Sequence, residues 1–214
     1  MKDYSRYSFW LENSGDDLTP RPPLDGSTSV DVAILGAGFT GLWVAYHLLQ
    51  RDPSLNVAVL EAEIAGFGAS GRNGGWCFSG FPYSPSALTE KYGRDAARAV
   101  SLAMYETVDN VGEVCERENI DAHYAKGGEL EIARAAYDLP KLEEMYNEYR
   151  SIGLEDHYRL FDKAETEERI RVAGALGSFW NMEGAAVQPA RLARGLARAV
   201  ERHGGTIYEQ TRVT

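Results

Sequence analysis

The sequence predicts an α/β fold in which a parallel sheet opens near the N-terminus, is interrupted by an α+β insertion, and resumes late in the chain. Three observations predict it. Val30 to Leu35 is an apolar, β-branched run of the kind buried on both faces of a parallel sheet. Gly36-Ala-Gly38-Phe-Thr-Gly41 follows at once and opens an apolar-periodic segment from Phe39 to Arg51. After a long stretch of mixed character, Pro189 to His203 reads as a helix that leads back to an extended segment at Thr206. A glycine-rich turn between strand and helix, closed by a second strand, marks a Rossmann-type layer.

Taken in order, residues 1–29 are an N-terminal lead-in. Thr19-Pro-Arg-Pro-Pro23 and Asp25-Gly-Ser27 cannot propagate a helix, so this segment is expected to pack through Tyr7, Phe9 and Trp10. Residues 30–80 hold the first part of the layer. Its helix is apolar at Leu42, Ala45, Tyr46 and Leu49, stops at Asp52-Pro53, and gives way to a strand from Asn56 to Leu60. Residues 81–180 form the insertion. A long helix over 93–119 is apolar at Ala97, Val100, Met104, Val108, Val111 and Cys115. Asp121 to Ala133 reads as two strands turning as a hairpin at Gly127-Gly128. Lys141 to Arg150 is helical, Asp162 caps a short helix to Ile170, and Ala173 to Val187 holds two extended segments. Residues 181–214 return to the layer, with Pro189 opening a helix, a Gly204-Gly205 stop, and extended segments at 206–209 and 212–213. The end at Arg212-Val-Thr214, inside an apparent strand, is expected to leave the layer truncated.

Asp and Glu outnumber Lys and Arg by 32 to 22, for a net charge of −10. No basic stripe forms, which argues against nucleic acid or an anionic membrane as partner. Cys77 and Cys115 are isolated, so neither a disulfide scaffold nor a structural zinc site is expected. No run of signal-peptide length opens the chain, and no stretch reaches the roughly 18 apolar residues of a membrane span. The cytoplasm is the expected compartment. No metal is expected, because His123, His157 and His203 lack ligand spacing and His47 sits mid-helix as packing.

The glycines carry the chemistry. A pyrophosphate needs close backbone approach and a helix dipole. Gly36 permits the tight turn, Gly38 lets the backbone approach phosphate, and Gly41 lets helix pack on strand. The helix N-terminus at Phe39 and Thr40 offers free N–H groups to the anion. Glu61 ends the next strand, where a carboxylate accepts from ribose hydroxyls and repels a 2′-phosphate, disfavouring NADP. Gly66-Phe-Gly-Ala-Ser70-Gly-Arg72-Asn73-Gly74-Gly75 is too rich in glycine for a stable helix or central strand. Following so soon after Glu61, it can run past the pyrophosphate toward a second ring system. That favours FAD over NAD.

Leu60-Glu61-Ala62 with Gly68-Ala-Ser-Gly-Arg-Asn-Gly-Gly75 resembles the D-amino-acid oxidase/glycine oxidase superfamily of FAD-dependent amine oxidoreductases. Within it, the chain is most similar to the γ-glutamylputrescine oxidoreductase-like branch. Tyr7-Ser-Phe-Trp10, Gly36 to Leu42, Val187 to Leu196 and Tyr208 to Val213 share the resemblance, which is specific only in the glycine motifs. It implies a Rossmann-type FAD layer with an inserted substrate region, a small-molecule amine as substrate, and hydride transfer from an amine carbon to flavin. It also implies that the Phe39 and Thr40 amides hold pyrophosphate, Glu61 the adenosine ribose, and Ser70 a phosphate. Arg72, Asn73, Gly74 and Gly75 would line the ribityl chain and flavin, and the Val213 backbone would pair with adenine. Family members often have a basic residue directly after the ribose acid; Ala62 stands there and leaves only its backbone as a contact.

No residue is nominated as catalytic acid or base, because the family's substrate-anchoring groups come from a later part of the chain. Cys77 follows the flavin loop and is expected to be an ordinary buried thiol, although family members can attach flavin through Cys or His. Glu165, Glu167 and Glu168 read as a solvated helix face. Three other readings stay open: a different FAD enzyme of the same fold, an NAD-dependent enzyme, and a non-catalytic dinucleotide-binding fragment. The 214 residues alone are expected to be an inactive fragment.

Overall fold

A computed structural model describes residues 2–214. Its elements are α1 (Phe9–Glu12), β1 (Val32–Leu35), α2 (Phe39–Arg51), β2 (Val57–Leu60), β3 (Trp76–Phe78), α3 (Pro85–Tyr92), α4 (Arg94–Arg117), β4 (Ala125–Lys126) and β5 (Glu129–Ala133). They continue with α5 (Leu139–Ser151), β6 (Tyr158–Phe161), α6 (Lys163–Arg169), β7 (Gly177–Asn181), β8 (Gly184–Ala186), α7 (Pro189–Arg202) and β9 (Thr206–Tyr208). The chain divides into two compact units. One gathers residues up to Gly75 with 113–124 and 187–214; the other holds 76–112 and 125–186.

In the first unit β1, β2 and β9 form a parallel sheet in that order. Leu42, Ala45, Tyr46 and Leu49, the positions picked out by helical spacing, are all buried on α2. α2 packs on β1 and β2, α7 packs on β9, and the two helices pack on each other. Small residues let α7 approach its neighbours closely: a Cβ at Gly195 would lie 2.2 Å from the Ile120 side chain. β2 is buried on both faces, but β1 is not, contrary to the prediction for Val30 to Leu35. Ile34 faces α2, where a Cβ on Gly41 would come within 3.1 Å of it, while Ala33 and Leu35 are exposed. β1 is an edge strand, and only its α2 side is covered.

The lead-in follows expectation in part. Trp10 is half-buried and Tyr7, though largely exposed, sets its ring against Phe67, but Phe9 is exposed and the buried anchors are Tyr4 and Leu11. The four-residue α1 has room to bury only one face, and Leu11 occupies it. At the other end β9 stops at Tyr208. Residues 211–214 form no strand, because the chain turns at Gln210 (φ +54) and hydrogen-bonds along the Glu61–Glu63 segment instead.

The second unit contains two antiparallel sheets, β3-β8-β4 and β5-β7-β6. The predicted hairpin at Gly127-Gly128 does not form: β4 pairs with β8 and β5 with β7. The glycine pair switches the chain between sheets. Both amides donate to the Gly184 carbonyl, Gly128 sits at φ +77, and a Cβ there would fall 2.4 Å from the Asn181 carbonyl oxygen. Gly128 therefore needs to be glycine. α5 lies on the second sheet over a core of Ala97, Tyr105, Leu142, Ile152, Tyr158 and Phe179. Tyr158 stacks between Tyr149 and Phe179, with ring centroids 3.9 and 5.4 Å away. Burial pushes the Tyr158 and Tyr105 hydroxyls up, so they share their 2.6 Å hydrogen bond as neutral groups. α6 carries the expected Asp162 cap, completed by Glu165 as a capping box. α3 was not predicted, although Ser84-Pro85 is a standard start: the Ser84 hydroxyl accepts from the Ala87 amide.

Candidate cofactor site

All of the sequence-predicted site residues lie in the first unit. The strand-to-helix turn puts Gly36 at φ +93, where a side chain is strained. Gly41 packs against the same turn: a Cβ on it would sit 2.0 Å from the Gly36 carbonyl oxygen. The later loop repeats the device, since a Cβ on Gly71 would sit 2.1 Å from the Gly66 carbonyl oxygen. Cβ atoms at Gly36, Gly68 and Gly74 would meet nothing within 4 Å, so backbone at these points borders open space. The two loops thus leave a cradle of bare backbone beside the N-terminus of α2.

Two predicted side chains converge on this cradle. The Ala37 amide donates to Glu61 Oε2 at 2.8 Å, and the Glu63 amide donates to Oε1 at 2.9 Å, fixing the carboxylate beside the glycine turn. The Phe39 amide donates to Ser70 Oγ at 2.8 Å. Gly38 caps α2 without a side chain, so Ser70, from the second loop, supplies an acceptor where an anion would be bound. A Cβ on Gly38 would come 2.9 Å from that hydroxyl. Thr40 is exposed in the first turn, and Ala62 is half-buried beside Glu61.

Arg72 and Asn73 shape the loop itself. Arg72 Nε donates to the Phe67 carbonyl at 2.7 Å and its guanidinium stacks 4.2 Å over the Phe67 ring. Asn73 donates to the Ala69 and Ser70 carbonyls and accepts from the Gly75 amide at 2.8 Å. Gly75 (φ +77) lies so close to the Val187 carbonyl that a Cβ would fall 2.5 Å from it. Val213 is exposed near the end of the chain.

Sequence reasoning missed Glu209, which is 0% exposed. It accepts from the Ala65 amide at 2.7 Å, from Arg21 N at 2.7 Å and from Arg21 Nη1 at 2.9 Å. It thereby ties the start of the glycine loop to β9 and the lead-in. Partners so distant in sequence leave no local signal.

The second unit holds a cavity of about 760 Å³ lined by Trp76, Cys77, Phe78, Gly127, Leu130 and Ile132, among others. Trp76 is 77% exposed and Phe78 also faces solvent, so the face is aromatic and open. Burial, with Asp109 nearby, pushes the Cys77 thiol up, which disfavours the thiolate. Among the described residues no helix is long and apolar enough to cross a membrane.

The chain is similar to known proteins. The family model "DAO: FAD dependent oxidoreductase" matches residues 31–214. Gamma-glutamylputrescine oxidoreductase of Escherichia coli (strain K12) is 33% identical over 207 residues, covering 97% of this chain and 48% of that protein. L-2-hydroxyglutarate dehydrogenase of Nematostella vectensis is 31% identical over 134 residues, covering 62% of this chain and 26% of that protein. The structure of glycine oxidase from Geobacillus kaustophilus matches with a TM-score of 0.66 and 27% identity, covering 86% of this chain and 47% of that one. The chain thus spans about half the length of the first of these curated relatives. It belongs to the DAO family of FAD dependent oxidoreductases.

Proposed function

We propose that this chain supplies the FAD-binding layer and part of the substrate region of an enzyme that oxidises the C–N bond of a small amine or amino acid. The observation that carries the reading is the convergence of Ser70 Oγ on the Phe39 amide and of Glu61 on the Ala37 amide around glycines that border open space. The Thr40 amide, at the positive end of α2, holds the pyrophosphate with the Ser70 hydroxyl beside it, while the Phe39 amide, expected to share that role, is engaged by Ser70 Oγ and fixes it in place. Glu61 takes the adenosine ribose, the Ala62 backbone lies next to it, and the Val213 backbone takes adenine. Arg72 and Asn73 rigidify the stretch at Gly74 and Gly75 that faces the ribityl chain and flavin. The cofactor layer, expected over 30–80 and 181–214, is carried by the first unit, which ends its opening stretch at Gly75 and begins its last at Val187, and the inserted substrate region by the second. Bound FAD supplies the hydride acceptor.

The names of the E. coli and G. kaustophilus proteins support an amine or amino-acid substrate. A second reading, oxidation of a 2-hydroxy acid, is favoured by the match to L-2-hydroxyglutarate dehydrogenase. Titration of a polypeptide of the relatives' length with FAD, ADP and NADP tests the cofactor assignment. Binding of FAD and ADP but not NADP is expected; no binding of either FAD or ADP would sink it. The substrate is decided by screening amines and 2-hydroxy acids for bleaching of flavin in a polypeptide of the relatives' length. Amine-dependent bleaching is expected. We expect the 214 residues alone to hold FAD weakly or not at all and to turn over no amine.

A further inference from the structure

The lead-in touches the glycine loop at its beginning, middle and end, all within the first unit. At the beginning, Tyr4 and Tyr7 set their ring edges against Phe67, with centroids 5.7 and 5.5 Å away. Phe67 is the ring on which Arg72 stacks. In the middle, the Ser8 hydroxyl donates to the Gly71 carbonyl at 2.8 Å. At the end, the Trp10 indole lies 3.7 Å from where a Cβ of Gly75 would be. The lead-in is itself pinned: Tyr4 donates to Glu63 Oε2 and accepts from Gln210, and Gln188 Nε2 donates to the Trp10 carbonyl at 2.7 Å.

We infer that residues 4–10 are a clasp that sets the conformation of the 66–75 loop, with Ser8 as its positioning residue for FAD. Glycines make the loop adaptable, and adaptability costs affinity because each residue must be ordered when the cofactor binds. Contacts that order the loop beforehand remove part of that cost. Ser8 is the lever because its hydroxyl faces two ways. It accepts from the Trp10 amide at 3.1 Å, capping α1, and donates to the Gly71 carbonyl of the loop. Only the second bond reaches the cofactor site. The inference rests on the cofactor assignment proposed above.

Three substitutions separate the two bonds. Ser8→Thr keeps both. Ser8→Asp keeps the cap acceptor, since aspartate is a good N-cap, but a carboxylate cannot donate to Gly71. Ser8→Ala loses both. Hydrogen exchange is measured on the cofactor-free protein and FAD affinity by titration, both in a polypeptide of the relatives' length. Ser8→Asp and Ser8→Ala should speed exchange at 66–75, leave the β2 and α2 amides unchanged, and weaken FAD by about five-fold, the worth of one net hydrogen bond. Ser8→Thr should match wild type in both. Wild-type behaviour of Ser8→Asp would reduce Ser8 to a helix cap and overturn the inference. Faster exchange spread over the whole unit would also overturn it. If wild type binds no FAD, the cofactor reading falls and takes this one with it. If wild type binds and Ser8→Ala binds equally well, this inference falls alone.

Discussion

Gly41 and Gly71 do the same thing thirty residues apart: each lies on the carbonyl oxygen of the glycine five positions earlier, with no room for a methyl group. Gly41→Ala and Gly71→Ala should each cost about 1–3 kcal/mol by overpacking. Gly68→Ala, where a Cβ meets nothing and φ is −71, should change stability by less than about 0.5 kcal/mol. Urea unfolding of the three variants checks the contrast, and equal losses at all three sites would contradict the packing account. Glu61→Ala should weaken FAD by about 1–3 kcal/mol, as loss of a charged acceptor does; an unchanged affinity in titration would remove Glu61 from the site. At this scale the first glycine motif was readable because its spacing encodes a backbone shape. The reach of Ser70 to the Phe39 amide and the inward bonds of Asn73 were not. They depend on how two loops meet, which no local pattern records.

Regular elements were readable where one periodicity dominated. The helices at 39–51 and 189–202 and the Asp162 cap follow from spacing and end signals. The Gly127-Gly128 turn was misread because a glycine pair between two extended runs looks the same whether the runs pair with each other or with other strands. A polar knot joins α2, the end of α4 and α7. Buried Glu118 accepts from Tyr46 Oη at 2.9 Å, from Arg202 Nη2 at 2.9 Å and bonds His203 Nε2 at 2.9 Å. Burial pushes its carboxyl up, but the bonds from His203, Arg202 and Tyr46 outweigh burial and bring it down to about 2 from an ordinary 4.5. A lowered carboxyl stabilises the fold above its unfolded value and loses that contribution as pH falls through its folded value. The stability gap between wild type and Glu118→Gln should therefore be full above about pH 4.5 and close toward pH 2. Thermal unfolding across that range is the check, and a gap that ignores pH would show that the knot is not its source.

For the molecule as a whole, the order of strand, helix, strand, insertion and return was visible in the sequence, but the exposure of its surfaces was not. Leu35 on β1 is 65% exposed, and Val44 on α2 faces solvent as well. An edge strand with a bare apolar face invites pairing. The chain should self-associate in sedimentation runs, and Leu35→Lys should reduce that association without lowering the melting temperature by more than a few degrees. A strictly monomeric wild type would refute the expectation. The sheet order also sets a schedule. β2 pairs with β1 almost as soon as both exist, but its other neighbour, β9, is made much later. Roughly 150 residues separate the two partners, so at about 5–20 residues per second on the ribosome β2 waits on the order of ten seconds with one side unmatched. During synthesis that edge of β2 stays open to wrong partners, and a stall downstream of β2 would prolong its exposure.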